Sequence, residues 1–97
     1  MHHWTEGDDL AALYVFRFGT TGLPYSLETI AKRRGIEPAT FKMRLQNFRA
    51  VAGLGGLDHY SRQTESVYRH HGRKRMEDLR ALAFPELSSV NASSKPR

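Results

Sequence analysis

The stretch from Ser26 to Ala52, SLETIAKRRGIEPATFKMRLQNFRAVA, constrains the fold more than any other part of the chain. Apolar residues recur there at helical spacing in two runs, and Gly35 separates them. Ser26 reads as an N-cap with Glu28 in the first turn behind it. Leu27, Ile30 and Ala31 give that first run its buried side, and Gly35 ends it with a residue that tolerates left-handed dihedrals. Ile36-Glu37-Pro38 forms the turn, and Pro38 suits the first position of a new helix. Phe41, Leu45, Phe48 and Ala52 then fall at i, i+4, i+7 and i+11, one apolar stripe on a helix from Pro38 to about Val51. Opposite the stripe lie Ala39, Met43, Gln46 and Ala50, with Thr40 and Asn47 to one side. Lys42 and Arg49 flank it on one edge and Arg44 on the other.

Charge singles out the same stretch. The net charge is +5, but its distribution says more than its size. Between residues 32 and 49, Lys32, Arg33, Arg34, Lys42, Arg44 and Arg49 are opposed by Glu37 alone. Residues 1–31 are acidic on balance, with Arg17 set against Glu6, Asp8, Asp9 and Glu28. A basic segment carried on an amphipathic helix suits a polyanion partner. For Lys32, Arg33 and Arg34 a local explanation is equally good, since cations in the last turn of a helix favour its dipole.

The remaining segments read as scaffold. Thr5 with Asp8 three residues later has the form of a capping box, and the helix it opens runs from Glu6 to about Phe18. Glu6, Asp8 and Asp9 also suit the positive end of that helix dipole, so capping accounts for all of them. Leu10, Leu13 and Tyr14 share a face while Val15 and Phe16 lie elsewhere, so this helix is covered on more than one side. Trp4 is placed to act as a hydrophobic staple. Gly19 to Pro24 is a loop, and so is Gly53 to Leu57, which lacks the Gly-Lys-Ser/Thr of a phosphate-binding loop. A fourth helix begins near Ser61 with Tyr60, Thr64, Val67, Tyr68 and His71 along one side, and Gly72 breaks it. Arg73-Lys74-Arg75 opens a fifth, holding Met76, Leu79, Leu82 and Ala83 and stopped by Pro85. From Ser88 onward the chain is small and polar, and a disordered tail is expected over residues 88–97. No segment alternates at period two. The expectation is one all-α domain over residues 1–87, a small bundle of about five helices.

Several function classes drop out. With no cysteine, disulfides and thiolate zinc sites are impossible. No apolar run approaches the roughly 20 residues that a membrane span needs. The start Met1-His2-His3-Trp4 lacks the pattern of a signal peptide, so a cytoplasmic protein is expected. No pair among His2, His3, His59, His70 and His71 has i, i+4 spacing, and no metal is expected. No nucleophile elbow, paired carboxylates or Ser/His/Asp grouping points to an enzyme, and nothing calls for a cofactor or a small-molecule ligand.

The Ser26–Ala52 stretch resembles the helix-turn-helix superfamily. Ala31 is the small residue where the two helices cross, Gly35 lies at the turn with apolar Ile36 after it, and Phe41 and Leu45 anchor the second helix. Arg44 stands where many members carry an aliphatic residue, so either the second helix is rotated or Arg44 snorkels along the core edge. Trp4-Thr5, Leu45-Gln46-Asn47-Phe48, Gly56-Leu57 and Val67-Tyr68 carry a weaker resemblance. They are similar to the N-terminal helical module of some HNH-family restriction-like endonucleases and related bacterial or phage proteins. This implies nucleic-acid handling without nuclease activity, because no HNH-type metal motif is present.

These readings converge on sequence-dependent binding of duplex DNA, as a transcriptional regulator or as the recognition part of a restriction or phage system. Gln46 and Asn47 suit adenine edges, Lys42 and Arg44 guanine or phosphate, and Met43 and Thr40 a thymine methyl. Lys32, Arg33 and Arg49 would hold the backbone. The competing reading is a protein-interaction module, such as a phage-encoded inhibitor or adaptor. Helices four and five supply its apolar surface through Tyr60, Tyr68, Met76, Leu79, Leu82 and Phe84, which serve either to complete the core or as a homodimer face.

Overall fold

Helix α1 (Glu6–Phe18) is the element on which most of the others pack. The computed structural model describes residues 2–54 and 60–87, and among these it is all-helical, with no strand. Four further helices follow: α2 (Leu27–Arg33), α3 (Pro38–Val51), α4 (Arg62–His71) and α5 (Met76–Ala83). Residues 85–87 add a helical turn. Residues 55–59, which include the rest of the Gly53–Leu57 loop, and the tail expected over 88–97 lie outside the described residues.

Every residue of α1 from Asp8 to Val15 is buried, with α3, α4 and α5 packed around it. A helix covered on so many sides cannot show a narrow apolar stripe, which is why Val15 and Phe16 fall off its main face. Tyr14 is fully buried against Phe18 and Phe84, and its hydroxyl donates to the Thr21 carbonyl at 2.5 Å, closing the loop that follows. Phe16 stacks on Phe48 of α3, while Leu79, Ala83 and Phe84 complete the far side. The Ser26–Ala52 stretch is therefore not the centre of the molecule, since α2 packs mainly on α3 and α3 in turn leans on α1 and α4.

Local chemistry sets the helix boundaries. The Thr5–Asp8 capping box forms in both directions, Asp8 N to Thr5 Oγ1 at 3.1 Å and Thr5 N to Asp8 Oδ2 at 3.0 Å. Ser26 and Ser61 accept from Thr29 N and Thr64 N at the starts of α2 and α4. Helix α2 ends in a Schellman arrangement: Ile36 N donates to Ala31 O at 2.9 Å and Gly35 N to Lys32 O at 3.0 Å. Gly35 has φ 72° there, the left-handed region that favours glycine. Ile36 and Ala31 are both buried beside it.

Helix α5 departs from the sequence expectation. It starts at Met76, and Arg73-Lys74-Arg75 precedes it, with Arg75 in an extended cap conformation. Glu77 and Asp78 occupy its first turn and complement its dipole, so the basic triplet does not sit in the helix at all. Of the apolar residues on the last two helices, Leu79 and Phe84 are buried and Tyr68 and Met76 half-buried. Tyr60 and Leu82 are the ones left exposed. Most of that surface goes into the core.

Candidate nucleic-acid interface

Beneath α3 lies a buried polar knot. Asp9 is fully buried, and Arg44 of α3 grips it bidentately, Nε to Oδ1 and Nη2 to Oδ2, both at 2.7 Å. Gln63 Nε2 donates to Asp9 Oδ2 at 2.7 Å, and Thr64 Oγ1 lies 3.4 Å from Oδ1. Gln63 also reaches the carbonyls of Trp4 and Thr5. The Arg44 guanidinium lies 4.3 Å from the Trp4 ring centroid, and Trp4 stacks on Phe41. Trp4 is thus a platform for Arg44 rather than a staple on its own helix, whose fourth residue is the polar Asp9. Desolvating two charges is repaid only when geometry and further hydrogen bonds satisfy both, and this knot satisfies both. It fixes α3 against α1 and α4 in rotation as well as position.

The knot revises two sequence readings. Arg44 snorkels into the core edge and is consumed by Asp9, so it is not on the outward face with the other candidates. Capping does not explain Asp9, which serves as the counter-ion of Arg44. The sequence held only a partial signal of the pair. Arg44 lies only about 40° around the helix from Phe48, and Asp9 about 40° from Leu13, at 3.6 residues per turn. Each charge borders an apolar stripe and so can reach a buried partner, but Arg49 borders the stripe of α3 at the same angle from Leu45, and the spacing does not tell the two arginines apart.

A second knot joins α1 to α2 and α5. Arg34 Nη1 donates to Asp8 Oδ1 at 2.9 Å, and its Nη2 to the Ala83 carbonyl at 3.0 Å. His2 Nε2 lies 2.7 Å from Asp8 Oδ2. Burial pushes the Asp8 carboxyl up, but hydrogen bonds from the Thr5 backbone, His2, Arg34 and the Thr5 hydroxyl outweigh it and hold the group below its ordinary value. Arg34 is a tertiary clamp rather than a dipole partner. Arg33 lies over the Tyr25 ring, 3.7 Å from Glu86, and both partners are solvent-exposed. Of the leading triplet, only Lys32 stands outward without an ion pair among the described residues, beside the turn formed by Gly35, Ile36, Glu37 and Pro38.

On α3 the remaining candidates separate by burial. Lys42, Met43, Gln46 and Arg49 are exposed, Met43 to 65%. Thr40 and Asn47 are half-buried, and the Asn47 amide donates one N–H to the Met43 carbonyl at 3.1 Å. Arg49 Nη2 reaches the Leu54 carbonyl at 3.3 Å. The structure thus brings Lys42, Met43, Gln46 and Arg49 together on one side of α3, with Ala39 and Ala50 between them. It sets Thr40 and Asn47 at the margin, removes Arg44, and leaves Lys32 and Arg33 on the neighbouring helix. Among the described residues, no helix is long and apolar enough to cross a membrane. No protein-family model, curated protein or solved structure matches the chain.

Proposed function

We propose that the protein binds duplex DNA by laying the outward side of α3 in the major groove. The observation that carries this reading is the composition of that side: an exposed methionine, Met43, set among Lys42, Gln46 and Arg49. A helix about 10–12 Å across fits a groove about 12 Å wide. The small Ala39 and Ala50 permit close approach there. Met43 offers an apolar contact for a thymine methyl, and Gln46 a bidentate pair for adenine. Lys42 and Arg49, on one edge, suit the flanking phosphates, with Lys32 beyond them. The Asp9–Arg44 knot fixes the helix that carries these side chains, so the backbone need not be ordered on docking.

A selection on random duplexes, followed by affinity measurements against salt, tests the proposal. The wild type is expected to enrich a short motif and to bind more weakly as salt rises. Met43→Ala and Gln46→Ala should relax the preferred motif by about 1–3 kcal/mol per lost base contact. Lys42→Ala should weaken all duplexes alike. Absence of binding even at low salt would refute the reading.

A further inference from the structure

The C-terminal ends of α1, α3 and α4 meet at one end of the bundle. A groove of 480 Å³ there has Phe16, Arg17, Phe18, Arg49 and Tyr68 in its walls. A second groove, of 380 Å³, is lined by Tyr68, Arg69, Gly72 and Arg73. Tyr68 and Gly72 belong to both, so the two grooves share a wall. No carboxylate lines either one among the described residues, and none of Arg49, Arg69 and Arg73 is in an ion pair among them.

Two features hold this surface in shape. Arg17 Nη1 donates to the Lys74 carbonyl at 2.5 Å, which ties the basic segment after α4 to the end of α1. Gly72 turns directly off α4, where any Cβ would run into the Tyr68 carbonyl. Complementing helix dipoles does not require so much charge. Each of the three helix ends carries roughly half a negative elementary charge. Arg49, Arg69 and Arg73 bring a full positive charge each on exposed side chains, and the half-buried Arg17 adds another beneath them.

We infer that this surface binds backbone phosphates of the same duplex that α3 reads, flanking the segment in the groove. The inference rests on the α3 reading, and Arg49 links the two because it stands on α3 and lines the first groove. Arg69 and Arg73 are the phosphate contacts, Tyr68 is the apolar floor between them, and Arg17 is a positioning residue. Surplus cations without carboxylate partners complement a phosphate backbone, and the wall that their groove shares with the one lined by Arg49 joins them to α3.

The test is duplex affinity against salt for the full chain. Each lost phosphate contact lowers the slope of log affinity on log salt by about 0.9. Arg69→Ala/Arg73→Ala should make it shallower by roughly 2 and weaken every duplex sequence alike, while Arg69→Lys/Arg73→Lys restores most of the slope. Arg62→Ala removes an exposed cation at the other end of α4 and should leave the slope unchanged. An unchanged slope in Arg69→Ala/Arg73→Ala, or an equal loss in Arg62→Ala, overturns the inference while the α3 reading stands. A shallower slope there, with no effect of Met43→Ala/Gln46→Ala on sequence preference, sinks the α3 reading and keeps the phosphate surface. A wild type that binds no duplex at low salt refutes both.

Discussion

A carboxylate taken out of water as completely as Asp9 costs several kcal/mol unless its oxygens are fully engaged. Here Arg44 of α3 and the adjacent Gln63 and Thr64 in the first turn of α4 engage them. Truncating one partner leaves the other charge buried and alone. Asp9→Ala should therefore cost about 3–5 kcal/mol in urea unfolding. Replacing both charges, as in Asp9→Leu/Arg44→Met, should cost much less than the sum of the two single changes. Additive losses would show that the pair is not energetically coupled. The same cycle bears on function, because the double variant keeps Lys42, Met43, Gln46 and Arg49 outward and should retain duplex binding if rotation of α3 is preserved.

Helix ends in this protein are set by contacts within a few residues, so they follow from local sequence. Thr5 and Asp8 cap α1, Ser26 and Ser61 cap α2 and α4, and Gly35 closes α2. A Cβ at Gly35 meets nothing within 4 Å, so the cost of Gly35→Ala is conformational and not a clash. Forcing alanine to a positive φ should lower stability by about 1–2 kcal/mol, and asparagine by less. Equal stability of the glycine and alanine proteins would overturn this account of the turn. Helix α5 illustrates the limit of local reasoning. Arg73-Lys74-Arg75 has no propensity against helix, and its segment is instead fixed by a hydrogen bond from Arg17, far away in sequence.

At the scale of the whole molecule, acid should weaken the fold in two steps. Burial pushes the His71 imidazole below its ordinary value of 6.5; Lys74 and His70 act the same way, and Glu6 acts against them. The buried Nδ1 has no hydrogen-bond partner among the described residues. The unfolded chain therefore takes up this proton before the folded one does. The stability that depends on neutral His71 is full above about pH 6.5 and is lost as pH falls through the lower folded value. Asp8 is also depressed, so its contribution is present above its ordinary 3.8 and disappears in stronger acid. Urea midpoints at pH 7 and pH 5 should fall further for the wild type than for His71→Leu. An equal fall in both proteins would remove His71 from the account.

What the sequence determined by itself was the set of helices and their order. Apolar periodicity and capping residues act over one or two turns, and such short-range physics survives without the rest of the chain. The apolar and outward sides of α3 were legible for the same reason, down to Met43 and Gln46. Only the tertiary structure decided which charges remain for a partner. Arg34, Arg44 and Arg17 look like Lys42 and Arg49 in the sequence. They are consumed by Asp8, Asp9 and the Lys74 carbonyl, across separations that no local pattern encodes. Tertiary packing also moved the organising role from Ser26–Ala52 to α1. A helix buried on nearly all sides has no single stripe to display, so its centrality appears only once its neighbours are in place.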